Sequence, residues 1–148
     1  MWVSDLTLQD NCADDDSAPT LRVMAKQNGN RLVVVVDDEE SVRKAVQRLL
    51  IAAGLTVQSF ASAEDFLKSG QLNATSCLVT DIRMPGMSGL DLLSELNRKR
   101  LPIPTIFITA HGDENLRMQA MRAGAVKFLP KPVDGATLLA DVQAALQF

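Results

Sequence analysis

Apolar residues in this chain follow two rhythms that alternate. The short runs Leu32-Val33-Val34-Val35-Val36, Cys77-Leu78-Val79-Thr80, Thr105-Ile106-Phe107-Ile108 and Val126-Lys127-Phe128-Leu129 have the length and β-branched content of strands, and Thr56-Val57-Gln58-Ser59-Phe60 reads as another. Between the runs, apolar positions recur at helical spacing. Val42, Ala45, Val46, Leu49, Leu50 and Ala53 mark a first helix, stopped by Gly54. Ser62 is placed to cap a short second helix that has Glu64 and Asp65 in its first turn and Gly70 at its end. Ser88 caps a third, with Asp91 near its start and Leu90, Leu93, Leu96 and in some phasings Leu92 facing inward, before Pro102 and Pro104. The fourth runs from about Asp113 to Ala123 and is closed by Gly124, and the last carries Leu138, Leu139, Val142, Ala145 and Leu146.

Five strand–helix units predict an α/β fold, a doubly wound parallel sheet with helices on both faces and right-handed crossovers. Near-continuous apolar strands suit a sheet buried on both sides. The expected strand order is the flavodoxin-like 2-1-3-4-5, for which ligands bind at the carboxyl ends of strands 1 and 3.

Composition narrows the function. At 148 residues the chain suits one core, and its net charge of −3 is unevenly placed. Residues 1–30 hold five acids and two bases, so residues 31–148 are balanced at 13 of each, which argues against a large nucleic-acid footprint. The polar segment 1–30 is expected to be a disordered extension, with Met24 as an alternative start, ahead of one domain over 31–148. Cys12 and Cys77 form no disulfide framework, no apolar run reaches membrane-spanning length, and the N-terminus lacks a secretion signal, so a cytoplasmic protein is expected.

Five polar residues follow the strand runs directly: Asp37, Asp38, Asp81, Thr109 and Lys131. Each alone has an ordinary explanation. The acidic stretch from Asp37 to Glu40 complements a helix N-terminus, Asp81 suits a turn, Thr109 ends a strand, and Lys131 suits a solvated loop. Together, at one edge of one sheet, they make three carboxylates, a hydroxyl and an ammonium, a set suited to phosphoryl chemistry.

Val35-Val36-Asp37-Asp38-Glu39-Glu40, Thr80-Asp81-Ile82-Arg83-Met84-Pro85-Gly86-Met87-Ser88-Gly89, Ile108-Thr109-Ala110-His111-Gly112 and Phe128-Leu129-Pro130-Lys131-Pro132 resemble, in order, the motifs of a response-regulator receiver domain over residues 31–148. The resemblance implies that Asp81 accepts a phosphoryl group from a histidine kinase or histidine phosphotransfer protein. It implies Mg²⁺ held by Asp38, Asp81 and the Arg83 backbone carbonyl, with Asp37 acting largely through water. Lys131 and Thr109 would contact the phosphoryl oxygens, and the Lys131-Pro132 bond would be cis. Arg83 and His111 would tune the lifetime of the phosphorylated state. Thr109 and Phe128 would be switch residues, and Arg117, Arg122, Val126 and Phe128 the output face. A homodimer through helix 4 and strand 5 and an unidentified downstream protein complete the expected partners, with no direct nucleic-acid or membrane contact.

Met84 and Met87 are expected to be exposed, as partner contacts or gap fillers. With the chain ending at Phe148, a stand-alone receiver is expected, and a receiver fragment of a DNA-binding transcriptional regulator stays open. A phosphorylation-independent binding module also stays open. A haloacid-dehalogenase-like phosphatase would need an acid/base Asp where Arg83 stands. The expectation is a phospho-accepting signalling domain with self-phosphorylation and slow autodephosphorylation, not a turnover enzyme.

Overall fold

The computed structural model describes residues 31–110 and 114–147. The elements alternate as β1 (Leu32–Val36), α1 (Glu40–Ala52), β2 (Thr56–Phe60), α2 (Ala63–Lys68), β3 (Thr75–Asp81), α3 (Gly89–Arg98), β4 (Thr105–Thr109), α4 (Glu114–Arg122), β5 (Lys127–Pro130) and α5 (Gly135–Leu146). All five strands are parallel, in the order β2-β1-β3-β4-β5, which is the expected 2-1-3-4-5.

Strand pleating sorts the core into two faces. Val33 and Val35 of β1 pack with Val46, Leu50, Leu138 and Val142 of α1 and α5. Leu32, Val34 and Val36 point the other way, toward Phe66 of α2 and Leu92 and Leu96 of α3. A third cluster joins Ile82, Leu93, Phe107, Ala120 and Ala125, with the half-buried Phe128 packed against it. The six-residue α2 is too short to stand alone, and complete burial of Phe66 contributes about 2–3 kcal/mol to holding it in place.

Several boundaries differ from the apolar runs. β3 extends from Thr75 to Asp81, not Cys77 to Thr80, because the ladder to β4 continues through the pair Asp81–Ile108. β5 begins at Lys127, and α4 is described from Glu114. The edge strand β2 has exposed and half-buried positions and none that is fully buried, so burial on both faces belongs to β1, β3 and β4. Ser62 and Ser88 cap α2 and α3 as expected, Ser88 and Asp91 forming a reciprocal capping box. Helices α1 and α4 close on Gly54 and Gly124 with positive φ, whereas α3 closes on Arg100 at φ 58°. Two hydrogen bonds, Leu101 N–H to Leu96 O at 2.9 Å and Arg100 N–H to Asn97 O at 3.0 Å, hold that residue there.

Candidate functional site

The carboxyl edge of the sheet delivers its polar residues one strand at a time. Asp37 follows β1 directly, and its N–H donates to Phe60 O at 3.2 Å, continuing the β1–β2 ladder one step past the strand. Its carbonyl accepts from Arg43 Nη1 at 2.8 Å, so α1 holds it from the far side. The Asp37 side chain is fully buried, with Oδ1 accepting the Glu39 N–H at 2.9 Å. Asp81 is the last residue of β3. Its Oδ1 accepts the Arg83 N–H at 3.3 Å, and its carbonyl accepts the Thr80 hydroxyl at 3.0 Å.

Thr109 ends β4 and is buried. Its carbonyl accepts the Lys131 N–H at 2.9 Å, and this anchors the backbone from which Lys131 reaches across the edge. The ammonium lies 3.0 Å from Asp37 Oδ2, 3.0 Å from Asp81 Oδ2 and 3.4 Å from Glu39 Oε1. The Lys131-Pro132 peptide is cis.

One ammonium among four carboxylates leaves the cluster with surplus negative charge. Burial pushes the Asp37 carboxyl above its ordinary value, against the pull of the Glu39 N–H and the Lys131 ammonium, and the Asp81 charge adds to the rise. For Lys131, burial is the largest single influence and acts to lower its pKa. The hydrogen bonds to Asp81 and Asp37 with their charges together outweigh it, and the pKa is raised.

The donor set suits a hard cation. One carboxylate oxygen each from Asp37, Asp38 and Asp81 can be chosen so that all lie within 4.8 Å of one another. Asp37 Oδ2 is buried, and the Lys131 ammonium meets it at 3.0 Å. Three clustered carboxylates carry more negative charge than one ammonium offsets, and all-oxygen ligation favours Mg²⁺-like ions over softer metals. Asp38 is exposed and leaves the cluster open to solvent.

Between β3 and α3 the chain turns sharply. The Arg83 side chain is exposed, but Met84 and Met87 are not: Met84 is buried and Met87 half-buried, both packed on the α2–α3 side of the core. The expectation of exposed methionines is therefore corrected, because the loop folds back over β1 and α2 and needs apolar side chains beneath it. A Cβ at Gly89 would lie 2.2 Å from the Asp81 carbonyl oxygen, so only glycine lets α3 start that close to the end of β3.

Phe128 lies in β5 opposite Phe107, half-buried against the third cluster. Arg117, Arg122 and Val126 are exposed on the α4–β5 side, where Met118 and Met121 are also 40% exposed. His111 lies outside the described residues. Sequence reasoning missed four contributors: Glu39 beside Lys131, Arg43 on the Asp37 carbonyl, Gly89 against Asp81, and Glu64, which accepts the Met87 N–H at 2.9 Å. Glu39 stood within the acidic stretch but read as a helix-start residue, and the Glu64 contact spans 23 residues with no spacing to announce it.

The model of the response regulator receiver domain matches residues 33–143. Nodulation protein W of Bradyrhizobium diazoefficiens is 47% identical over 116 residues, which is 78% of this chain and 51% of that protein. The transcriptional regulatory protein FixJ of Azorhizobium caulinodans is 46% identical over 114 residues, 77% of this chain and 54% of that protein. The chain thus spans about half the length of these curated relatives. Among solved structures, the crystal structure of FixJ-N superimposes with a TM-score of 0.72 at 41% identity, covering 79% of this chain and 94% of that one. The response regulator StyR gives 0.74 at 45% identity, covering 80% and 60%. Receiver domains of this family act in general as phosphorylation-operated switches, interact with histidine kinases and bind Mg²⁺ at acidic residues. With its sheet order, its edge of clustered carboxylates and these matches in agreement, the chain belongs to the response regulator receiver domain family.

Proposed function

We propose that this chain accepts a phosphoryl group on Asp81 from a histidine kinase or histidine phosphotransfer protein and passes the change to another protein. The observation that carries this reading is the placement of the Asp81 carboxylate, buried at the end of a central strand with Lys131 Nζ 3.0 Å from Oδ2. A carboxylate oxygen of Asp81 attacks the phosphorus, the new O–P bond forms, and the P–N bond to the donor imidazole breaks with its electron pair returning to the ring. Such transfer needs positioning and charge neutralisation above all. Lys131, freed from its ion pairs, turns its ammonium to the phosphoryl oxygens, and the Thr109 hydroxyl donates to the same group. Asp38, Asp81 and the Arg83 carbonyl, with Asp37 beside them, would hold Mg²⁺, whose charge offsets that of the carboxylates and the phosphoryl group.

The added charge draws Thr109 inward and shifts Phe128, and the surface of α4 and β5 carrying Arg117, Arg122 and Val126 changes with them. Arg83 and His111 set how long the acyl phosphate lasts by governing attacking water. In this reading the chain is a cytoplasmic signalling domain that autodephosphorylates slowly and does not turn over a substrate. A homodimer through α4 and β5 is one outlet for the signal. A second reading is favoured by the relatives: the chain spans about half of proteins named as transcriptional regulators, so it would serve as the receiver part of such a regulator.

The test is intact mass after incubation with Mg²⁺ and a small-molecule phosphodonor. The expected result is a metal-dependent gain of one phosphoryl group, absent in Asp81→Asn. A protein that binds Mg²⁺ but gains no mass, with small-molecule or purified histidine-kinase donors, is instead a phosphorylation-independent binding module.

A further inference from the structure

The loop between β3 and α3 carries the backbone of Arg83 past Asp81, and it is fastened at two points. At its base, the Gly89 N–H donates to Ile82 O at 2.8 Å. At its tip, the Glu64 carboxylate of α2 accepts the Met87 N–H at 2.9 Å, and a Cβ at Gly86 would lie 2.6 Å from Glu64 Oε2. Gly86 therefore serves two needs, a positive φ of 75° and room for a carboxylate laid against the backbone. Glu64 is a steady anchor for such a contact. It stands in the first turn of α2, one residue after the buried Ala63 and two before Phe66, and the Ser62 cap fixes that turn through the Asp65 N–H at 3.0 Å. The Met87 N–H in turn holds the Glu64 carboxyl below the usual carboxylate range.

From this geometry we infer that Glu64 is a positioning residue for the phosphoacceptor site, holding the tip of the loop so that Arg83 presents its backbone beside Asp81. Glu64 touches neither a reacting atom nor a metal ligand's side chain. It acts through the peptide backbone of the loop, as outer-shell partners of metal sites do. The inference rests on the reading of Asp81 as phosphoacceptor with a divalent cation beside it.

Its consequence is a split between affinity and maximal rate. Without the clamp the loop samples more conformations, and the cation must order it on binding. Glu64→Ala is expected to weaken Mg²⁺ binding about tenfold, the lower end of what outer-shell partners contribute, while phosphoryl uptake at saturating Mg²⁺ stays near wild type. Glu64→Gln keeps a carbonyl oxygen for the Met87 N–H and is expected to retain most of the affinity. Gly86→Ala breaks the same contact from the other side, so its loss and that of Glu64→Ala are expected to be less than additive.

The experiment is Mg²⁺ titration followed by NMR on wild type, the three single variants and the Glu64→Ala/Gly86→Ala double variant, with hydrogen exchange of the Met87 amide measured in the absence of metal. Faster Met87 exchange and weaker Mg²⁺ binding in Glu64→Ala, both restored in Glu64→Gln, support the clamp. Unchanged Mg²⁺ affinity in Glu64→Ala overturns it, as does a Gln variant as weak as Ala, or Met87 exchange equal in wild type and Glu64→Ala. If wild type binds no Mg²⁺, the phosphoacceptor reading fails, the positioning role falls with it, and the exchange data still report whether the contact itself exists.

Discussion

At the carboxyl end of the sheet, Lys131 lies within ion-pair distance of both Asp37 and Asp81, and 0%, 10% and 11% of the Asp37, Asp81 and Lys131 side chains are exposed. At the amino end, a groove of about 550 Å³ runs between α3, α5 and the start of β5, walled by Leu93, Pro102, Ile103, Pro104 and Val126. A hollow of similar volume, about 540 Å³, lies at the carboxyl end beside Ile82, Arg83 and Met84, yet the charged lining of the amino-end groove is Lys127 and Asp141, outside the acidic cluster. The carboxyl end has the clustered, buried charges. The difference teaches that volume is a poor guide in this fold. Burying three charged groups is unfavourable, and here the strand ends hold two carboxylates against one shared ammonium that offsets part of the cost.

The sharpest way to break the comparison is to disturb the carboxyl end through packing alone. Gly89→Ala places a methyl 2.2 Å from the Asp81 carbonyl and 3.0 Å from both Ile82 Cα and Phe107 Cε1. Backbone has no flexible end to yield, so urea unfolding is expected to show a loss of about 3 kcal/mol. Next comes Lys131→Ala, which leaves two buried carboxylates without their shared cation and is expected to cost about 2 kcal/mol in metal-free protein. Lys44→Ala is the control. It removes an exposed pair with Glu40 and should shift stability by less than about 0.5 kcal/mol.

The third prediction runs in the other direction. Burial raises the Asp37 carboxyl above 3.8, so the folded protein holds that proton more tightly than the unfolded chain. The stability difference due to its charge therefore falls as pH rises from the ordinary carboxylate value through the raised one, and the cost is fully present at neutrality. Asp37→Asn is expected to stabilise metal-free protein at pH 7 by about 1 kcal/mol, and the gain should shrink as pH falls through the raised value, be gone below the ordinary 3.8, and vanish in the presence of saturating Mg²⁺. A variant less stable than wild type at pH 7 would mean that the ion pair with Lys131 outweighs the desolvation. Apart from the Lys44 control, the smallest effect belongs to the amino end, where Asn97→Ala removes a hydrogen bond from Nδ2 to Ala123 O at 2.9 Å. Thermal unfolding should register about 0.5–1 kcal/mol, with phosphoryl uptake unchanged.

Much of this contrast could be read from the chain. The strand runs end in polar residues because parallel strands place their carboxyl termini at one edge, so Asp37, Asp38, Asp81, Thr109 and Lys131 were legible from position and residue type together. The helix caps at Ser62 and Ser88 were legible because capping is local, decided within four residues. Contacts made by folding back were not. Met84 and Met87 follow a turn whose direction depends on α2 packing beneath it, and no periodicity records that. Glu64 and Met87 meet across 23 residues, and Gly89 is glycine because of a carbonyl on another element. Strand ends shifted by one or two residues for a related reason, since a ladder is bounded by its partner strand and not by the last apolar side chain.

The central claim is that the carboxyl-end cluster exists to phosphorylate one particular carboxylate, and the most direct measurement locates the bond. Protein treated with a small-molecule phosphodonor and Mg²⁺ is reduced with borohydride, which converts an aspartyl phosphate to homoserine, and is then mapped by tandem mass spectrometry. The account predicts homoserine at position 81 and at no other. Homoserine at position 37 or 38 in its place, or unmodified Asp81 in protein that has gained a phosphoryl group, would contradict it.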